Sequence, residues 1–204
     1  MLNKNFEKLA SESKIEKTLE ALVGNGMETI IAENKEEAKK MIFNMIPLGV
    51  EIMNMTSVTL SELGIDKEIN ESERFASVRK KMATTVNHKG IEKRRLGAAH
   101  EWVIGSAHAV TEEGQIMVAS ATGSQIPSYV YGALNVMFII GTQKIVKNLD
   151  DGFKRIYKYA LPLENERALK VYGVPSGVNK ILIINKEVAP GRITVLLVKQ
   201  KLGF

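Results

Sequence analysis

The sequence has 204 residues, 45% of them hydrophobic, and a formal net charge of +5; that composition suits one sizeable folded domain and excludes a chain too polar to bury a core. It contains no cysteine, which excludes disulfides, thiolate zinc sites, iron–sulfur clusters and a catalytic thiol together. No apolar run reaches the roughly 18 residues that span a bilayer, and the charged, amphipathic start MLNKNFEKLASESKIEK lacks the apolar core of a signal peptide, so a cytoplasmic protein with no membrane partner is expected.

Apolar residues at Leu2, Phe6, Leu9, Ile15, Leu19 and Leu22 recur close to helical spacing, and Gly24-Asn25-Gly26 closes the segment, predicting an N-terminal helical arm over residues 2–23. Residues 28–32 read as a short strand. Asn34 with Glu37 three positions on forms a capping box that opens a helix ending before Pro47. The next strand is VEIMNM, 50–55, after which Thr56, Ser57 and Thr59 stand where the chain turns into a short helix that Gly64 ends. Such alternation of strands and helices predicts a parallel α/β sheet. From Asp66 to His100 the chain is charged, with helical spacing at Phe75, Val78 and Met82, and two helices split near 87–90 are expected. This stretch holds the densest basic cluster: Arg79-Lys80-Lys81, Lys89 and Lys93-Arg94-Arg95. No aromatic residue interleaves with it, so the stacking platform of a single-strand nucleic-acid binder is missing. The cluster reads as a solvated helical face; a phosphate-bearing ligand, an acidic partner or nucleic acid has only charge behind it.

The central stretch, residues 103–131, packs short apolar pieces at Val103-Ile104 and Ala109-Val110, a turn at Glu112-Glu113-Gly114, a strand over 115–119 and a small polar loop over 120–124. Pro127 suits the first turn of a following helix. A strand that ends in such a loop and runs into a helix start is a usual place for an anion or a reacting group. Residues 135–141 form a near-continuous apolar strand of the kind buried on both faces. A helix follows from about Leu149, with Phe153, Ile156, Tyr157 and Ala160 on its apolar face; Pro162 breaks it, and a second helix covers 164–172. Finally, 180–185 and 192–199 are strands joined through Ala189-Pro190-Gly191, a connection short enough for antiparallel pairing. One α/β domain spanning 1–204 is expected, with strands near 28–32, 50–55, 103–110, 115–119, 135–140, 180–185 and 192–199.

Among residues that could carry chemistry, His88, His100 and His108 have no helical metal-pair spacing, so no metal site is expected. His108 lies four residues before Glu112 and reads either as a proton donor or acceptor or as a satisfied histidine at a strand end. Glu112 and Glu113 are adjacent in a turn, so at most one faces a cleft. Thr56, Ser57 and Thr59 follow one strand, and Thr122, Gly123 and Ser124 follow another. In a parallel sheet both loops open at the carboxyl ends of strands, where they could cradle one anion; alternatively, Thr56 and Ser124 simply cap helices. The expected site gathers Thr56, Ser57, Thr59, Glu112, Glu113, Thr122, Gly123 and Ser124 in one cleft, with His108 at its edge and Gly114 in the adjoining turn. Neither a Walker-type loop, a G-x-G-x-x-G nor a G-x-S-x-G occurs, so nucleoside triphosphatase, dinucleotide and serine hydrolase readings lack support.

The words GSAHAVTEEGQIMVAS, VMFIIGTQKIV and VNKILIINKEVAPGRITVLLVKQKLGF resemble the LUD domain family, that of lactate utilization protein C, over most of the chain and most strongly over 103–204. The family's fold is similar to the superfold of ribose-5-phosphate isomerase, glucosamine-6-phosphate deaminase and the CoA transferases. The resemblance therefore implies a mainly parallel core flanked by helices, with a smaller antiparallel portion. Thr56, Ser57 and Thr59 match the family's hydroxyl loop. Ala107, His108, Ala109, Glu112, Glu113, Gly114 and Gln115 match its alanine-rich piece and following turn, with His108 standing for an acid and Glu113 for a threonine. Residues 174–180 depart from the Gly-Pro-Ser-x-Thr-Ala-Asp run of lactate-type members. Functionally the resemblance implies a cluster-free accessory component of lactate or related 2-hydroxy acid metabolism, holding no cofactor itself and working beside iron–sulfur partner proteins. The residues alone leave open a stand-alone enzyme or binding protein for a small phosphorylated, carboxylated or CoA-type anion, with Glu112 or Glu113 as acid or base. A homo-oligomer is compatible with both.

Overall fold

The computed structural model describes residues 2–86 and 90–204. Short runs of β-branched and apolar residues supply ten strands: β1 (Glu28–Ala32), β2 (Glu51–Asn54), β3 (Ala76–Ser77), β4 (His100–Gly105), β5 (Ala109–Thr111), β6 (Ile116–Ser120), β7 (Ala133–Gly141), β8 (Ile145–Val146), β9 (Lys180–Ile184) and β10 (Ile193–Val198). Six of them form a wholly parallel sheet in the order β1-β10-β7-β4-β2-β3. A second sheet runs β8-β5-β6-β9, with β5 and β8 parallel and the other pairs antiparallel.

The alternation of side chains along β7 explains the layering. Val136, Phe138 and Ile140 face one core with Ile15 and Leu22 of α1 (Glu12–Gly24). Met137 and Ile139 face the other with Ala38 and Ile42 of α2 (Lys35–Met45), and with Leu60 of α3 (Val58–Glu62) and Ile65 and Ile69 of α4 (Ile65–Glu71). Covered on both faces, the central strands can be apolar throughout. A smaller core joins Ala109 and Met117 of the second sheet to Ile156, next to α7 (Leu149–Arg155), and the absence of a side chain at Gly152 lets that helix settle against the Met117 sulfur. The predicted capping box is present. Asn34 Oδ1 accepts from the Glu37 N–H at 3.0 Å, and Glu37 Oε2 accepts from the Glu33 N–H at 2.8 Å.

Several expectations are corrected. The N-terminal arm is not one helix: a short turn at Lys4–Glu7 precedes α1, and Ser11, in an extended conformation and without a side-chain capping bond, separates the two. The expected strand 103–110 divides, β4 ending at Gly105 and β5 beginning in the other sheet. Likewise β9 and β10 do not pair. All six residues of β10 are buried, which only a place between β1 and β7 provides, whereas β9 is half-covered and lies beside β6. Pro162 does not break the chain's helical course. A wide turn at Ile156–Ala160 links α7 to α8 (Leu161–Tyr172), and Pro162 sits in the first turn of α8, where its missing N–H is harmless. The helix expected at Pro127 is present but short: Pro127 lies in its first turn, and a π-helical turn over Ser128–Gly132 runs into β7. The charged stretch contains α5 (Val78–Thr84) and α6 (Ile91–Leu96); His88 and Lys89 lie outside the described residues. No helix among the described residues is long and apolar enough to cross a membrane.

Candidate functional site

The central parallel strands all discharge at one edge of the sheet, where β7 turns tightly through Thr142–Lys144. There the Lys144 side chain, only 2% exposed, donates to Thr59 Oγ1 at 3.0 Å and Ser106 Oγ at 3.2 Å. Thr59 follows β2 and Ser106 follows β4, so three crossovers meet on one amine. Both hydroxyls are themselves committed as donors, Thr59 to the Leu202 carbonyl at 3.2 Å and Ser106 to the Ile139 carbonyl at 2.6 Å. They can therefore only accept from the lysine. Burial, and then the charge of Arg155, push the Lys144 ammonium well below the usual lysine range, against a smaller opposing influence from Glu62. Residues 202–203 close the site from above. Gln143 Nε2 donates to the Leu202 carbonyl at 2.8 Å, and the Gly203 N–H donates to Glu62 Oε2 at 2.7 Å. At Gly203, φ is 59° and a Cβ would stand 2.6 Å from Thr59 Oγ1, so only glycine fits.

His108 adjoins this cluster. Its Nδ1 accepts from the Ala119 N–H at 3.1 Å, which leaves its proton on Nε2. Burial first, then the charges of Lys144 and Arg155, lower its pKa to about 3, so the imidazole is neutral at physiological pH. Arg155, at the end of α7, is 0% exposed. Its Nη1 donates to the His108 carbonyl, its Cζ stands 5.2 Å from the centre of the Tyr159 ring, and its Nε and Nη2 have no partner. Burial brings its pKa to about 10, which keeps it cationic. Among the described residues neither Arg155 nor Lys144 has a carboxylate in salt-bridge contact.

The expected site residues distribute over four places. Thr59 and His108 belong to the lysine cluster. Thr56 and Ser57 line a neighbouring pocket of about 220 Å³ with Asn54, Asp66, Asn70 and Arg79; there Arg79 donates to Thr56 Oγ1 at 2.9 Å and the Asn54 carbonyl at 2.6 Å, while Asn54 Oδ1 is buried without a partner. Ser57 stands at the start of α3 without a side-chain capping bond. Glu112 is held by Lys14 at 3.3 Å and Lys17 at 3.1 Å. Burial alone would raise its pKa, but the two lysines outweigh that and hold the carboxyl below its usual range. Glu113 is exposed, its carbonyl bonded to Asn25 Nδ2 at 2.9 Å, and Gly114 at φ 78° presses against the end of α1. Thr122 Oγ1 donates to Ser124 Oγ at 3.1 Å, with Gly123 beside the Lys180 side chain.

One cleft holding all of these residues does not form. Glu112, Glu113 and Gly114 lie at the turn of the β5–β6 hairpin, whereas Thr122, Gly123 and Ser124 leave the far end of β6, five residues away, or roughly 17 Å along an extended strand. Sequence reasoning also passed over Lys144, Ser106 and Arg155, and it took Arg79 as part of a solvated basic face rather than beside Thr56. Two signals were present: Lys144 directly follows the apolar run of β7, and Arg155 shares the helical stripe of Gly152, Ile156 and Tyr159. Among the described residues no three histidines or acids gather to hold a metal ion.

The sequence profile of the LUD domain matches residues 15–198. No curated protein matches the sequence. The fold is similar to the crystal structure of a DUF162 family protein from Deinococcus radiodurans, with a TM-score of 0.56 and 10% identity, covering 94% of this chain and 99% of that one. At such low identity the likeness speaks to the fold alone.

Proposed function

The chain belongs to the LUD domain family, and from that premise we propose that it is a component of lactate or related 2-hydroxy acid metabolism that binds a small carboxylate between Arg155 and Lys144. One observation carries this reading: Arg155 is a fully buried cation with Nε and Nη2 unpaired. A buried charge is ordinarily paired, and the parallel N–H groups of a guanidinium match the two oxygens of a carboxylate. Thr59, Ser106 and His108 surround the position next to it with polar groups suited to a 2-hydroxyl or 2-oxo substituent. The chain has no cysteine, so electron transfer falls in this reading to iron–sulfur partner proteins in the cytoplasm. The resemblance to lactate utilization protein C and to the CoA transferase superfold supports an accessory role at the carboxyl ends of the strands.

Calorimetric titration with L-lactate, pyruvate and inorganic phosphate tests the site. Binding of the two organic acids, weakened about 30-fold or more in Arg155→Met, is expected, the equivalent of about 2 kcal/mol. Absence of binding by the wild type, or equal binding by the variant, removes Arg155 from the site.

A second reading is favoured by the Arg79 pocket, where the guanidinium meets the hydroxyl residues Thr56 and Ser57. In this reading the protein binds a phosphorylated or CoA-type anion at Arg79, Thr56 and Ser57. Titration with CoA, abolished by Arg79→Met and indifferent to Arg155→Met, would establish it in place of the first.

A further inference from the structure

Lys144 holds a second property that simple charge does not explain. Its two hydrogen-bond partners accept and cannot donate, because each hydroxyl proton already goes to a backbone carbonyl. A neutral amine has two N–H groups and one lone pair, so this arrangement uses both N–H groups and leaves the lone pair free. An ammonium would carry a third N–H with no acceptor in a place that is 2% exposed. The geometry is that of a free amine held by its protons with its nucleophilic electrons unoccupied, and the displaced pKa agrees with it. Of its neighbours, Ser106 is half-buried.

Resting on the carboxylate reading above, we propose that Lys144 is a nucleophile that forms an imine with a 2-oxo acid whose carboxylate Arg155 holds. The nitrogen lone pair attacks the carbon of the 2-oxo group, and the carbonyl electron pair moves to oxygen. The two amine protons leave with that oxygen as one water, and a carbon–nitrogen double bond replaces the carbonyl. No electrons are gained or lost overall, so the chain needs no redox group for this step. Its substrate is the oxidised counterpart of a 2-hydroxy acid, and the reaction that must supply it is dehydrogenation at the hydroxyl carbon. Thr59 and Ser106 are positioning residues that aim the amine. His108, neutral and with its Nδ1 occupied by the Ala119 N–H, adds no competing positive charge beside it.

The test is reductive trapping on the intact wild-type chain. Protein is incubated near pH 7 with pyruvate and cyanoborohydride, and its mass and peptide map are read, while lactate and pyruvate binding are measured in parallel by calorimetry. The expected result is one reduced pyruvyl adduct per chain, located on Lys144, with surface lysines unlabelled because they are almost wholly protonated at that pH. Lys144→Met should give no adduct, and Thr59→Val should slow trapping more than tenfold while Thr59→Ser, which keeps the hydroxyl that aims the amine, restores it. Binding of both acids with no adduct at Lys144, or with label spread over surface lysines, overturns the imine and leaves the carboxylate site standing. If neither acid binds, both readings fall together.

Discussion

The hairpin turn at Glu112 and the lysine cluster at Lys144 both bring charge into buried ground, and they resolve it in opposite ways. Glu112 is met by two lysines of α1, and its turn is further tied down through Asn25; the buried charge there has protein partners. By contrast, Lys144 at the carboxyl ends of β2, β4 and β7 and Arg155 on the His108 carbonyl have, among the described residues, no acid in salt-bridge contact. Arg192 repeats the lesson within one residue type. Its guanidinium spends itself on Glu187 at 2.6 Å and the Ala133 and Tyr129 carbonyls at 3.0 Å, whereas Arg155 keeps two nitrogens in reserve. Polar clusters that close on themselves fasten the fold, and a buried cation with unpaired nitrogens is what the proposed ligand would complete.

Arg192→Met breaks this comparison most visibly. It strips Glu187 of its cation and three carbonyls of a donor, and denaturant unfolding should show a loss of about 2–4 kcal/mol. Arg155→Met exchanges a more deeply buried guanidinium, 0% exposed against 12% for the Arg192 side chain, yet it removes an unpaired cation, so the same measurement should stay within about 1 kcal/mol of wild type. If the two variants are equally damaging, Arg155 is a structural residue like Arg192. Acidification sharpens the contrast next. An imidazole held at about 3 in the folded chain takes up its proton near pH 6.5 when unfolded. The unfolded state therefore binds the extra proton across that window, and stability falls as pH drops from about 6.5 towards 3. The Glu112 carboxyl, lowered in the fold, stabilises above its unfolded pKa near 4.3 and loses that contribution only as pH falls through its folded value. Melting curves between pH 7 and 5 should accordingly flatten in His108→Asn, leaving a residual slope of the same sign from His100, whose pKa burial also lowers, and stay unchanged in slope in Glu112→Gln. The smallest effect is the stability change of Glu112→Gln itself. With its lysines reaching into solvent, it should cost about 0.2–1 kcal/mol and fade in high salt.

The parts legible in the sequence were those decided by near neighbours. The Asn34–Glu37 cap, the buried runs of β7 and β10 and the turn at Gly114 each follow from residues within a few positions. Pairing was less legible, since 180–185 and 192–199 look alike locally, and only the demand for two covered faces sends β10 to the centre of the large sheet. Thr59 and His108 were singled out from their loops, but the residue they surround was not. A lysine in a three-residue polar turn is by composition a surface residue; its burial is imposed by residues 59, 106 and 202, which the topology delivers from beyond β2, β4 and β10. Glu112 failed in the opposite direction, an acid in a loop that looked available and is occupied by α1.

Strand β10 also sets the order in which this molecule can be made. It stands between β1 and β7, and β1 touches the sheet through no other strand, Glu28 pairing with Thr194 and Ala32 with Val198. A chain emerging from the ribosome therefore carries β1 as an orphan until residues 193–198 arrive to bridge it to β7, and contacts between such distant segments form slowly. The same late arrival delivers Leu202 and Gly203 onto Thr59, so the half-built protein holds neither a complete sheet nor an aimed amine. Synthesis, on this topology, leaves Lys144 unenclosed until residues 202 and 203 reach Thr59.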